Sequence, residues 1–244
     1  MVKCFLFGDS HTRSYNDSFK IIPLFLGPGS SIGLDGAYFT RTYKLIKDVL
    51  NKNIIDKEDI IIINIGCPDI LRYVFSHDGI PHKTYKINQW DKIIDKNINI
   101  EIIDSLIEKY NQIIELIKTY NKNVYILSAT TSFYPILDHV IMFNNKLEDK
   151  YKSKFINLFQ HTITGSDIKK VKKEFLNFNF KNETKYSDYK NYEYDPLHLN
   201  NSLSINLQVY IEKFIYNDID SINKINLFDN KLLINDFNCY KISN

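Results

Sequence analysis

Apolar and polar positions fall into two kinds of block along the chain. Short, nearly unbroken apolar runs read as strands buried on both faces. They cover residues 2–7, ending at Gly8; 21–26, running into Gly27-Pro28-Gly29; 60–65, almost wholly isoleucine and ending at Gly66; and 124–127. Between them lie longer blocks with helical spacing. Residues 37–50 carry Tyr38, Thr42, Leu45, Ile46 and Val49, and Ile102, Leu106, Tyr110, Ile113 and Ile117 mark a long amphipathic helix. Helix signals return over 138–152, a fifth strand is predicted over 155–159, and a closing helix over 199–216. Residues 67–98, with Pro68, Gly79 and Pro81, read as a long loop holding at most a short helix.

Strands alternating with helices of this length predict an α/β fold: a central, mostly parallel sheet covered by helices on both faces. Such sheets bind ligands outside the carboxyl ends of their strands. Three of the predicted strands run into glycine at that end, at Gly8, Gly27 and Gly66. The pattern shows no repeat and no linker, so residues 1–216 are read as one domain. Residues 161–194, rich in Lys, Asn and Tyr, form a polar insertion within it, and 217–244 are a tail to which the pattern assigns no structure.

Composition narrows the function. The chain has 244 residues, 44% hydrophobic and 25% charged, which is the balance of a folded domain. Its 31 Lys and Arg against 29 Asp and Glu leave a formal net charge of +2, far from the basic excess of a nucleic-acid binder. The basic run Lys169, Lys170, Lys172 and Lys173 reads as a solvated helix face. Cys4, Cys67 and Cys239 have neither zinc-ligand spacing nor a CxxC pair, and no metal is expected. The amino-terminal apolar run is too short for a signal peptide, and no stretch is long enough to span a membrane. A reducing, cytoplasmic location is therefore the expectation.

Two short constellations carry candidate chemistry. Gly8-Asp9-Ser10-His11 follows the first strand directly, so that a glycine turn brings a serine hydroxyl to the carboxyl edge. A serine needs a neighbouring base to become a nucleophile; without one, the same residues make an ordinary capped turn. Asp195-Pro196-Leu197-His198 supplies such a base. Of the six histidines, only His198 has an aspartate three residues before it, a spacing that lets the carboxylate hold one ring nitrogen and leave the other for the serine. Taken singly, Asp195 and His198 also read as a surface loop. No GxSxG occurs, which removes the nucleophile elbow of α/β-hydrolases.

With these two motifs the chain resembles the SGNH, or GDSL-type, serine hydrolases. The resemblance spans roughly residues 2–216, although short blocks carry it. It implies a flavodoxin-like α/β/α sandwich, Ser10 as nucleophile, His198 as base and Asp195 as its orienting carboxylate, with no cofactor. It also implies an oxyanion hole in which the N–H of Gly27, or of Gly29, joins that of Ser10. The family's third block, GxND, corresponds to Gly66-Cys67-Pro68-Asp69, where proline stands in place of the asparagine donor and offers neither side-chain donor nor N–H. Asp69 either braces this loop or touches substrate. His11 and Arg72 are candidate substrate contacts, with hydrogen bonding of the loop and a solvated surface position as their respective alternatives, and Arg13 lies nearby. Cys67, lacking a histidine motif of its own, reads as a small apolar residue.

The expected reaction is ester hydrolysis through an acyl-enzyme. The expected substrate is a small-molecule or glycan ester, in particular an acetyl group on a sugar, since no apolar lid is evident. A lysophospholipase or thioesterase, a sugar O-acyltransferase, and a catalytically silent module on the same fold are the alternatives. The sequence does not specify an oligomeric state.

Overall fold

The computed structural model describes residues 2–15, 21–26, 36–76, 100–131, 136–165, 170–175, 199–200, 202–211 and 215. Five parallel strands form its centre: β1 (Cys4–Gly8), β2 (Ile21–Phe25), β3 (Ile60–Asn64), β4 (Val124–Leu127) and β5 (Phe155–Ile156), in the order β2-β1-β3-β4-β5. Helices flank the sheet: α1 (Gly36–Asn51), α2 (Cys67–Ser76), α3 (Ile100–Lys118), α4 (Leu137–Tyr151) and α5 (Ser202–Tyr210). Every residue of β1 and β3 is buried, so both faces of the sheet centre are covered. That is why these strands read as continuous apolar runs without alternation. On α3 the predicted stripe is buried from Ile103 to Ile117, and the helix packs against both α1 and α4. Each fully buried Ile or Leu there stabilises the fold by about 1.5–3 kcal/mol.

The strand order is that of the flavodoxin-like fold, as expected. Its topological switch point lies between β1 and β3, where the chain leaves the sheet centre in opposite directions. In register, Gly8 at the end of β1 stands opposite Asn64 at the end of β3. The two polar motifs that follow these strands are thereby placed side by side.

The structure departs from the sequence reading at several boundaries. β1 begins at Cys4, leaving Val2 43% exposed. The segment after β3, read as a long loop holding at most a short helix, begins with a helix of ten residues. Proline is compatible with the first turn of a helix, where an N–H has no partner in any case, and Asp69 favours the same turn through the helix dipole. The fifth strand is two residues long, because Ser128 Oγ captures the N–H of Phe159 at 3.0 Å and the chain turns through a 3-10 segment, Phe159–Thr162. Within the stretch read as an insertion, β6 (Ile163–Thr164) and β7 (Lys170–Val171) form a small antiparallel pair. Lys170 is therefore in a strand, not on a helix face. The closing helix, read over 199–216, runs over Ser202–Tyr210. No helix among the described residues is long and apolar enough to cross a membrane.

Candidate active site

At the carboxyl end of β1 the chain turns where only glycine fits. A Cβ on Gly8 would lie 2.5 Å from the carbonyl oxygen of Asn64 and would run into the Thr12 methyl. Past Gly8, the N–H of Asp9 donates to that same Asn64 oxygen (3.3 Å), and Ser10 opens a 3-10 segment, Ser10–Tyr15. The turn is fastened from within. Thr12 donates to the Asp9 carbonyl through both its N–H (3.1 Å) and its hydroxyl (2.8 Å). Oδ1 of the buried Asp9 accepts from the backbone N–H of His11 at 2.8 Å and lies 2.9 Å from His11 Nδ1. Ser10 is the residue enclosed by this Asp9–His11 clasp.

The far end of the segment is tied to the part of the chain that follows His198. Ser14 Oγ donates to the carbonyl of Leu199 at 2.7 Å, and Ser204 Oγ, on α5, donates to the carbonyl of Ser14 at 3.0 Å. All three residues are buried. A buried hydrogen bond fixes its partners because leaving either group unsatisfied costs about 1–3 kcal/mol. Leu199 is the residue after His198, and Ser14 lies four positions after Ser10.

Behind this edge is a polar layer that joins β3 to β4. Asn64 Nδ2 donates to the Ser128 carbonyl at 2.8 Å, while Asn144 of α4 accepts from the N–H of Ala129 (2.8 Å) and donates to its carbonyl (2.9 Å). Tyr110 donates from its buried hydroxyl to the Ile63 carbonyl at 3.1 Å, and burial, with Tyr151 and Asp9 adding to it, holds that phenol neutral.

At the end of β3, Gly66 has φ of +120°, a region that side-chain-bearing residues rarely adopt. Its carbonyl accepts from the N–H groups of Asp69 (3.1 Å) and Ile70 (3.2 Å), which starts α2. Asp69 is buried in that first turn. Pro68 also sits in it, so it contributes to the start of a helix where the family resemblance would place an oxyanion donor.

Of the residues singled out in the sequence, the structure brings Asp9, His11 and Cys67 together. The imidazole of His11 lies with Nδ1 2.9 Å from Asp9 Oδ1, and the Cys67 side chain interacts with it electrostatically. Burial alone would lower the basicity of His11, but Cys67 and the Asp9 carboxylate outweigh it and hold the ring well above the usual histidine range. Cys67 is buried, as a small apolar residue would be, yet it has a histidine neighbour after all. Sequence reasoning missed this contact because the histidine comes from another strand end. The usable signal is the aspartate two residues before His11, close enough in sequence to pair with its ring. Burial pushes the thiol of Cys4, on the same strand as Gly8, up to about 12, with Asp59 adding to the shift.

The backbones of Ser10, Arg13 and Arg72 are described, in the 3-10 segment and in α2, but their side chains are not. Gly27, Gly29, Asp195 and His198 lie outside the described residues.

No family model and no curated protein matches the chain. Among solved structures, a Bacteroides fragilis protein provisionally named an acylhydrolase superposes with a TM-score of 0.51 at 13% identity, over 91% of this chain and 86% of its own. A Streptococcus pneumoniae protein provisionally named a platelet activating factor superposes with a TM-score of 0.47 at 15% identity, over 86% and 84%. At these identities the likeness is one of fold.

Proposed function

We propose that the protein is an acyl hydrolase, a serine esterase in which Ser10 is the nucleophile, His198 the base and Asp195 the carboxylate that orients it. The observation that carries this reading is the bond from Ser14 to the carbonyl of Leu199. It ties the residue next to His198 to the same short segment that Ser10 opens. The position of that segment at the switch point of the sheet, where folds of this type bind ligands, supports it further.

The chemistry would run in two halves. His198 takes the hydroxyl proton as Ser10 Oγ bonds to the ester carbon, and the carbonyl oxygen becomes an oxyanion. The C–O bond to the alcohol then breaks, and His198 returns its proton to the departing alkoxide. In the second half His198 takes a proton from water, whose oxygen attacks the acyl-enzyme; Ser10 leaves with that proton and the free acid is released. The oxyanion is assigned to the N–H groups of Ser10 and of Gly27 or Gly29. With Pro68 in place of an amide donor, this hole lacks a contribution worth about 2.7–4 kcal/mol in enzymes that have one. That deficit favours a second reading, a silent module on the same fold.

For the substrate we propose a short acyl group, acetyl on a carbohydrate alcohol. A p-nitrophenyl ester series tests the acyl part. Acetate is expected to be hydrolysed at least about tenfold faster than octanoate, a difference of roughly 1.4 kcal/mol in barrier. Preference for the long chain would redirect the assignment to a lysophospholipase or thioesterase. Added sugar acceptors that divert the acyl group from water would redirect it to an acyltransferase.

A further inference from the structure

Asp9, His11 and Cys67 form a buried cluster that the proposed mechanism does not use. We infer that His11 is a positioning residue: by engaging Asp9 Oδ1 through both ring and backbone N–H, it clamps the turn around Ser10, with Cys67 closing the cluster from α2. The inference rests on Ser10 being the nucleophile, and it assigns a role to His11 that contact with substrate would not require.

The geometry has three consequences. First, two donors on one carboxylate oxygen fix both the backbone and the side chain of the residue after the nucleophile. The direction in which the chain leaves Ser10 is therefore set on that side, while the paired bonds of Thr12 to the Asp9 carbonyl set it on the other. Second, a buried carboxylate is tolerated when it is paired and hydrogen-bonded, and the charged form of His11 supplies that pairing. Third, α2 enters the cluster through Cys67, whose backbone position depends on the left-handed turn at Gly66. The start of α2 and the turn at Ser10 are thus coupled through one imidazole.

Among the described residues, two titratable groups face His11. Asp9 follows β1 and Cys67 opens α2, while the described residues of β2 and α5, which also pack on the 3-10 segment, include no acidic or basic residue. With the ring held above the usual histidine range, its stabilising contribution is complete below about pH 6.5 and is lost as pH rises through the higher value in the folded protein. His198, as base, must be neutral to act. The pH profile of kcat should therefore be bell-shaped, with an acid limb from His198 and an alkaline limb from His11.

The test combines two variants with a titration. His11→Ala removes both ring contacts and is expected to lower kcat by about 10- to 100-fold with KM changed less than about threefold. His11→Asn restores a neutral donor to Asp9 at the position of Nδ1. It should recover part of the loss and show no alkaline limb. A kcat of His11→Ala within threefold of the wild type would overturn the inference, as would an alkaline limb that persists in His11→Asn. Should the alanine variant not fold, the asparagine variant and its pH profile decide alone. The proton NMR titration of the His11 ring, assigned by its absence from His11→Asn, reads the cluster without any activity. A midpoint above 6.5 is expected, and one at or below it contradicts the clamp. If the wild-type protein hydrolyses no ester, the proposed function fails, and the titration still decides whether His11 and Asp9 are paired as inferred.

Discussion

Ser10→Ala is expected to lower kcat/KM for p-nitrophenyl acetate by about 10⁴- to 10⁶-fold while leaving the melting temperature nearly unchanged. The size follows from removing the atom that bonds to the substrate, and triads lose most of their rate with any essential member. The stability expectation follows from what holds the turn. Among the described residues, Asp9, Thr12 and Ser14 make the bonds that fasten it. His198→Ala should cost a comparable factor, and the double variant should lose little more than either single one, because residues that act as a unit are not additive. Steady-state kinetics on the three variants, with thermal melts beside them, read both expectations. A Ser10→Ala protein that keeps a tenth of its activity would rule out Ser10 as nucleophile.

Gly66→Ala should be strongly destabilising. Two costs combine. At φ of +120° the backbone itself is strained for alanine, by about 1–3 kcal/mol. The new Cβ would also lie 2.8 Å from Cε1 and Cζ of Phe143. That ring is fully buried and packed edge-on against Tyr110 with centroids 6.1 Å apart, so it has little room to withdraw. Overpacking of this kind costs about another 1–3 kcal/mol, for a total of about 2–6 kcal/mol and a fall of roughly 4–24 °C in Tm. Gly165 provides the comparison, since it also has positive φ (+96°) but is exposed. Gly165→Ala should show the backbone cost with less steric conflict, and urea denaturation of the two variants separates the two effects. Equal losses would mean that Phe143 yields freely.

The elements most legible in the sequence were those whose burial is uniform. The isoleucine run of β3 and the four residues of β4 could be read as strands because both faces are covered, and α3 because its apolar stripe is continuous. Boundaries set by a single tertiary contact were not legible. The end of β5 depends on Ser128 reaching the N–H of Phe159, and the start of α2 on a proline that local rules read as punctuation although a helix accepts it in its first turn. The site divides in the same way. Asp9 and His11 are neighbours in sequence and pair locally, so their bond was available to inspection. Cys67 joins them only because β1 and β3 are adjacent in the sheet, with Gly8 opposite Asn64. The link from Ser14 to Leu199 spans most of the chain and has no local signature at all.

The whole account turns on a serine hydroxyl activated where β1 ends. Treatment with a fluorophosphonate probe, followed by peptide mass mapping, reads this without a known substrate. The account predicts one covalent adduct per chain, on the peptide bearing Ser10, and its loss in Ser10→Ala and in His198→Ala. A wild-type protein that remains unmodified, or whose adduct maps to another residue such as Cys67, would contradict it.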